Sequence, residues 1–171
     1  MNMFIRKIAA KILNYIAAKN ELLGKELFEA VAKHTVGIAI EAVLLRKNEE
    51  TGKTEVYLTS RRPDEVYPGQ FHCPGTYIRA GEDDKLAFAR LGKSELHTNI
   101  DTIEMCGEIF APEIRYKTML DRVYLIKCQN PANETGKWIA IDDLAKYPVV
   151  EGHTNYVLPT ALAKAKEINW I

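Results

Sequence analysis

The stretch from residue 68 to residue 97 constrains the fold of this chain more than any other part of it. The dipeptides Pro68-Gly69 and Pro74-Gly75 interrupt regular structure, so they bound a short extended segment. From Glu82 to about His97 the spacing of apolar residues is helical. The acidic residues at the start of this segment suit the positive end of a helix dipole: Glu82, Asp83 and Asp84. The stretch therefore predicts a strand, a turn and a helix in succession.

The flanking sequence predicts further strands on both sides of this stretch and a helix at the end of the chain. Residues 35–48 and 56–62 are rich in β-branched and aliphatic side chains, and the polar turn between them predicts a hairpin. The other predicted elements are strands over 100–110, 121–129 and 138–142 and a closing helix over 156–168. Strands with helices before, between and after them predict an α+β domain, an α/β/α sandwich with a mixed central sheet.

Composition excludes some broad classes of function. Lys and Arg together number 23, as do Asp and Glu, so the net charge is zero and bulk nucleic-acid binding is not expected. The three cysteines, Cys73, Cys106 and Cys128, are too far apart for metal pairs and predict reduced thiols in a cytoplasmic protein. No apolar run reaches the roughly 18–20 residues of a transmembrane helix.

Residues 1–34 predict a helical extension, and residues 35–171 predict the main domain. Apolar residues recur at helical spacing through the first 16 positions, all the charges up to Lys19 are basic, and a break is expected near Gly24. Such a helix can lie on an anionic membrane or act as a transit peptide. Packing on the helix's own domain or on a partner subunit is the favoured interpretation, and a homodimer through these helices is one form of it.

Several short motifs give the chain a resemblance to the Nudix hydrolase family. The family's box is G-x5-E-x7-R-E-U-x-E-E-x-G-U, where U is aliphatic, and Glu82 and Arg90 have its seven-residue spacing. The other matching positions are Arg61-Arg62, Pro68-Gly69, Pro74-Gly75, Gly81, Glu95 and the strand at Trp138. The resemblance covers most of residues 36–168. It implies a Nudix fold and the cleavage of a nucleoside diphosphate-linked or related diphosphate compound with Mg²⁺ or Mn²⁺.

The box departs from the family pattern mainly at its acids. Leu91 and Ser94 stand where the family has two helix acids, and Arg79 stands where it commonly has a loop acid. Thr76 replaces the first glycine of the box, His97 replaces its late glycine, and Gly92 replaces an aliphatic residue. Positions 91, 94 and 95 are expected on one face of the helix. Only Glu95 keeps a carboxylate there, so the metal site is expected to be weak. Phe88, one turn earlier in the helix, is expected to fill the space that the missing aliphatic side chain leaves at Gly92.

The resemblance implies a role for each surviving motif residue. Glu95 and the Gly75 carbonyl are the expected metal ligands, and Glu95 and Glu134 are the expected catalytic acids. Gly75, Gly81, Glu82 and Arg90 are expected to shape the loop and helix. Arg61, Arg62 and Arg79 are candidate phosphate-binding residues. Glu108 and Glu113 are further acids near the site, and for both of them, as for Glu134, a surface role is favoured.

Three functional hypotheses remain open. The first is a divergent Nudix hydrolase with a weakened metal site. The second is a catalytically inactive Nudix-fold protein that binds a ligand or a protein partner and needs no metal. The third is an isomerase of isoprenoid type that uses Cys73, although a buried structural Cys73 is favoured over a nucleophile.

Overall fold

The structure is a computed structural model that describes residues 3–19, 25–114 and 117–171. The chain begins with helices α1 (Met3–Lys19) and α2 (Lys25–Ala32). The break predicted near Gly24 lies outside the described residues. Residues 3–15 of α1 are all exposed and Ile16 is half-buried, and the packing of this helix on its own domain or on a partner stays a prediction. No helix in the described ranges is long and apolar enough to cross a membrane.

Eight strands follow within the described residues, and they form two four-stranded sheets. They are β1 (Val36–Val43), β2 (Leu45–Lys47), β3 (Thr54–Ser60), β4 (Phe71–His72), β5 (Gly75–Tyr77), β6 (Ile100–Ile114), β7 (Lys117–Cys128) and β8 (Lys137–Ala140). The first sheet has the order β5-β1-β7-β6, in which β1 and β7 run parallel and the other pairs antiparallel. The predicted mixed sheet is therefore confirmed.

The second sheet is antiparallel and centres on β3, which pairs with β2, β4 and β8. The predicted hairpin is formed by β2 and β3, whose ladder ends at the Lys47–Thr54 pair. Leu44 alone separates β1 from β2, so one continuous run of chain contributes to both sheets. The sequence predicted this run as a single strand because its apolar character does not change where the chain passes to the second sheet.

Alternation along the strands builds two hydrophobic cores on opposite sides of the sheets. Helix α3 (Asp84–Leu91) covers one core, and α4 (Leu158–Glu167) covers the other. On β7, for example, Tyr124 lies in the α3 core and Leu125 in the α4 core. This arrangement confirms the predicted α/β/α layers, since a strand covered on both faces is apolar at successive positions.

The helix predicted over 82–97 is present but changes its geometry part-way. Asp83 caps it by accepting a 2.8 Å hydrogen bond from the Leu86 amide, as expected for an N-terminal aspartate. After Leu91 the chain continues as a π-helical turn, Gly92–Leu96, and it ends at His97 with φ 55°. His97 thus occupies the left-handed conformation that glycine most often supplies at helix ends.

The glycine inside this helix is required by a close backbone contact. A β-carbon at Gly92 would lie 2.6 Å from the Thr98 carbonyl oxygen and 3.4 Å from Ile100 Cγ1. Phe88 instead packs edge-on against Tyr124, with ring centroids 4.9 Å apart. The expected exchange of volume between positions 88 and 92 is therefore wrong, because the returning chain fills the space beside the glycine.

Candidate functional site

Arg90 joins the loop after β5 to helix α3. Its Nε and Nη2 donate to the two carboxylate oxygens of Glu82 at 2.8 and 2.7 Å. Its Nη1 donates to Thr76 Oγ1 at 2.6 Å, and Nη2 also donates to the Tyr77 carbonyl at 2.8 Å. One guanidinium group therefore bonds to two residues of β5 and to Glu82 in the loop after it, and these contacts are compatible with the structural role that the resemblance implies for Glu82 and Arg90.

The turn before Glu82 completes this arrangement. Gly81 has φ +83°, and the amide of Arg79 donates a 3.0 Å hydrogen bond to Glu82 Oε2. Hydrogen bonds from Arg90 lower the pKa of Glu82 to about 2. The carboxylate of Glu82 that holds the loop is therefore ionised in the folded protein at neutral pH.

Glu95 lies at the other end of this loop, against Gly75. Its Oε2 accepts a 3.3 Å hydrogen bond from the Gly75 amide. The side chain is partly buried, and this burial raises the pKa of Glu95 to about 7. Glu95 is therefore a desolvated carboxyl group next to the Pro-Gly turn, where the resemblance expected a metal ligand.

A second carboxylate, from Glu41 on β1, approaches Gly75 from the sheet. Glu41 pairs with Gly75 in the β1–β5 ladder, and a β-carbon at position 75 would lie 2.9 Å from Glu41 Oε2. Glycine is required here because the glutamate carboxylate occupies the space of a side chain. The Oε2 atom is buried and has no hydrogen-bond partner among the described residues. Burial, with the nearby charge of Asp121, holds the pKa of Glu41 well above its usual value.

Glu41 was missed as a site residue by the sequence analysis. The signal for it is present, since Glu41 is the only charged residue in the run 35–45. A charged residue in a strand that is apolar on both faces is rarely buried without a partner or a function. What the sequence does not show is that β1 pairs with β5, which brings position 41 opposite position 75.

Buried imidazoles and a thiol line the core side of this acid. His153 Nδ1 accepts a 3.2 Å hydrogen bond from the Cys73 amide and lies 3.8 Å from Glu41 Oε2. Burial lowers the pKa of His153 to about 3 and that of His72 to about 4, so both rings are neutral near pH 7. Burial also raises the pKa of the Cys73 thiol, which is therefore not an activated nucleophile. The buried structural role predicted for Cys73 fits this environment.

The three candidate phosphate-binding arginines lie in different environments. Arg61 Nε is buried and has no hydrogen-bond partner within the described ranges. The charge of Arg61 acts to lower the pKa of both Glu41 and Glu95, against the larger effect of burial. Arg62 is exposed and forms a 3.0 Å ion pair with Glu65. Arg79 is exposed on the Glu82 side of the loop.

Glu134 lies in the loop before β8, and this loop is attached to the end of the helix. The neighbouring Asn133 donates a 2.8 Å hydrogen bond from Nδ2 to the Glu95 carbonyl, and its amide donates to Tyr57 Oη at 3.2 Å. The Glu134 side chain itself is exposed. The catalytic role of Glu134 stays a prediction. The position of Glu134 in a loop bonded to the Glu95 turn is compatible with that role.

The remaining acids near the helix have other contacts. Glu108 is exposed and accepts a 3.0 Å hydrogen bond from Arg122 Nε. The Glu113 side chain lies outside the described part of the chain. Among the described residues, no three His, Cys, Asp or Glu side chains are close enough together to hold a metal ion. A cation at Gly75 would therefore rely on two carboxylates, a backbone group and atoms from a ligand.

The expectation that positions 91, 94 and 95 share one helix face is wrong. Leu91 is fully buried in the α3 core, Ser94 is exposed, and Glu95 points to Gly75. The cause is the π-helical turn, which has more residues per turn than an α-helix and so changes the direction of every side chain after Leu91. Leu91 is thus a core residue rather than a ligand position that has lost its acid.

Comparison with known proteins identifies the fold. No protein-family model matches the sequence, and no curated protein matches it. The structure is similar to the NUDIX domain of Shewanella oneidensis NrtR complexed with ADP ribose, with a TM-score of 0.60 and 17% identity over 78% of this chain and 88% of that one. The chain has the Nudix fold.

Two further structures of this fold are also similar. One is Shewanella oneidensis NrtR complexed with a 27mer DNA, with a TM-score of 0.62 and 16% identity over 76% of this chain and 62% of that one. The other is the C. elegans Ap4A hydrolase, with a TM-score of 0.56 and 22% identity over 80% of this chain and all of that one. The roles that the resemblance implies for Gly75, Glu82, Arg90 and Glu95 stay predictions.

The Glu82–Arg90 pair predicts a pH-dependent contribution to stability. Since the pKa of Glu82 is about 2 in the folded protein and about 4.5 ordinarily, its contribution is complete above about pH 4.5 and is lost as the pH falls towards 2. Glu82→Gln should lower the free energy of unfolding by about 1.5 kcal/mol at neutral pH, the lower end of the range for hydrogen bonds to charged groups. Urea denaturation should show this deficit shrinking in acid.

Glu108→Gln is the matched control for this variant. It also removes an acid paired with an arginine, but the Glu108 side chain is 42% exposed, so it should cost less than about 1 kcal/mol. A Glu82→Gln deficit that stays the same from neutral pH to acid would contradict the account of this pair.

Restoring an acid should lower the stability of the protein at position 91 but leave it nearly unchanged at position 94. Leu91→Glu places an unpaired carboxylate in the core and should lower the free energy of unfolding by at least about 3 kcal/mol. Ser94→Glu, at an exposed position of the same helix, should change it by less than about 0.5 kcal/mol. Denaturation followed by circular dichroism measures both. A Leu91→Glu protein as stable as the wild type would show that position 91 faces the cleft.

Proposed function

We propose that this protein binds a nucleoside diphosphate-linked compound in the cleft at Gly75 and hydrolyses its diphosphate with the help of Mg²⁺ or Mn²⁺. The observation that supports this most is the convergence of Glu41 and Glu95 on Gly75. The fold alone does not decide the activity. The chemistry of these groups suits a ligand that carries both phosphate charge and a coordinated cation.

Arg61 is the proposed anchor for the diphosphate. Its Nε is buried and has no hydrogen-bond partner among the residues that the structure describes, and a phosphate oxygen would satisfy this donor. A planar guanidinium also forms paired hydrogen bonds to phosphate that a lysine does not form. Arg62 is proposed to assist from the exposed side, where Glu65 holds it in place. The roles of Arg62 and Arg79 in binding rest on the family resemblance.

The residues at Gly75 fit a hard divalent cation. Glu41 supplies a buried carboxylate oxygen without a hydrogen-bond partner, and Glu95 supplies a second carboxylate against the same glycine. Mg²⁺ is commonly held by only one or two carboxylates together with phosphate oxygens of the substrate. When bound, the cation would neutralise phosphate charge and polarise a phosphoryl oxygen. Because the ligand completes the coordination, cation and ligand should each bind better in the presence of the other.

Hydrolysis also needs a group that accepts a proton from the attacking water. Water adds to a phosphorus atom, the bridging P–O bond breaks, and the proton passes to a base. Glu134 is the proposed base, because it is exposed on a loop that Asn133 fastens to the Glu95 carbonyl. Loss of a general base typically lowers the rate by about 10²–10⁴.

A second candidate function is ligand binding without hydrolysis. The burial of Leu91 and the exposure of Ser94 favour it, because neither position supplies a carboxylate to the cleft. The fold accepts the relevant class of compound, since the Shewanella NUDIX domain was crystallised with ADP ribose. ADP-ribose is therefore a suitable first probe for both candidates.

Calorimetry with ADP-ribose should separate the phosphate anchor from the cation ligands. Arg61→Gln should weaken binding at least about tenfold with or without Mn²⁺, because it removes a charge-assisted donor. Glu41→Gln and Glu95→Gln should weaken binding only when Mn²⁺ is present. Arg46→Gln is the control, because Arg46 is an exposed arginine of β2 that pairs with Glu55 of β3. This variant should bind ADP-ribose as the wild type does.

Product release from the same ligand with Mn²⁺ then distinguishes the two functions. The hydrolase predicts turnover that Glu95→Gln abolishes and that Glu134→Gln lowers by about 10²–10⁴. If the wild type binds the ligand tightly but does not turn it over, hydrolysis is excluded and ligand binding without hydrolysis is supported. If a panel of nucleoside diphosphate derivatives neither binds nor reacts, both functions at Gly75 are wrong.

A further inference from the structure

Helix α1 concentrates positive charge in a chain that is neutral as a whole. The chain carries 23 basic and 23 acidic side chains. The first 20 residues contain four of the basic ones, Arg6, Lys7, Lys11 and Lys19, and no Asp or Glu. This segment therefore has a strong positive field of its own, although the protein's net charge predicts no general attraction to anions.

Up to Ile16 the helix separates its apolar and basic side chains, whereas Lys19, in its last turn, falls in the same sector as the isoleucines. At 100° per residue, Ile5, Ile8 and Ile12 fall within a narrow sector of the helix surface. Arg6 and Lys7 project from the remaining surface, and Lys11 lies at the border between the two. This is the pattern of helices that lie in the plane of a membrane interface, with basic residues at the lipid headgroups and apolar residues below them.

The three isoleucines of the apolar sector are exposed in the part of the chain that the structure describes. Ile5 is 54% exposed, Ile8 43% and Ile12 51%, and every residue from 3 to 15 is exposed. The basic side chains of the same stretch, Arg6, Lys7 and Lys11, are exposed as well. An apolar face of this size needs a cover, and the cover must also tolerate the positive charge beside it.

We propose that α1 binds to an anionic lipid surface, lying in its plane with the isoleucine sector buried among the acyl chains. Charge complementarity favours this partner over a second copy of the chain. Two α1 helices packed together would bring their basic residues close to one another without any acid in the segment to compensate. Acidic headgroups instead attract these residues, and hydrocarbon covers Ile5, Ile8 and Ile12.

Co-sedimentation of the full chain with lipid vesicles tests the proposal. The wild type should bind vesicles of equal parts phosphatidylglycerol and phosphatidylcholine at least about tenfold better than vesicles of phosphatidylcholine alone, and high salt should weaken binding. The Lys7→Glu/Lys11→Glu variant should bind the anionic vesicles at least about tenfold more weakly than the wild type, and so should Ile8→Asp/Ile12→Asp.

Lys85→Glu/Lys166→Glu is the matched control. It makes the same change in net charge at two exposed positions outside α1, so it should keep the binding of the wild type. Because the substituted side chains are all exposed, all variants should retain the unfolding transition of the wild type.

Three outcomes would overturn the proposal. Equal binding to both kinds of vesicle, or equal loss in the control variant, would show that α1 does not recognise anionic lipid. Light scattering that shows a dimer of the wild type and a monomer of Ile8→Asp/Ile12→Asp, without vesicle binding, would assign the isoleucine sector to a second copy. Absence of both binding and dimer formation would show that the sector has neither function.

Discussion

The hydrogen bonds of Arg90 hold together the part of the structure on which the proposed function depends. They connect helix α3 to Glu82, Thr76 and the Tyr77 carbonyl, so the loop after β5 cannot move independently of the helix. Gly75 is the first residue of β5, the strand to which Arg90 is bonded. The pairing of β1 with β5 brings Glu41 to this glycine, and the hydrogen bond from the Gly75 amide brings Glu95 there.

The π-helical turn after Leu91 determines which side chains reach the cleft. Gly92 brings the Thr98 carbonyl within van der Waals reach of the helix, and the turn ends at His97 in a left-handed conformation. These features direct Leu91 into the core and Glu95 towards Gly75. The loss of acids at 91 and 94 is therefore part of a changed helix geometry, and the strand residue Glu41 provides the second carboxylate.

Local features of the site could be predicted from the sequence, and long-range ones could not. The family resemblance implied that Glu82 and Arg90 hold the loop against the helix, and the two residues are only eight positions apart in one loop-and-helix unit. The position of Glu41 opposite Gly75 depends on the pairing of β1 with β5, and alternation within a strand does not reveal its neighbour. The direction of Leu91 was predicted wrongly because an α-helical period was assumed. The exposure of α1 was missed because periodicity shows that a face is apolar but not what covers it.

The central claim is that the acids of this Nudix cleft come from β1 and from the helix end and converge on Gly75. Crystals grown with ADP-ribose and Mn²⁺ test it directly, because Mn²⁺ can be located by its anomalous scattering. The account predicts a Mn²⁺ peak within coordination distance of Glu41 and Glu95, with a phosphate oxygen on the ion and another at Arg61. A peak at other acids with Glu41 and Glu95 uncoordinated, or ADP-ribose bound away from Gly75, would contradict it.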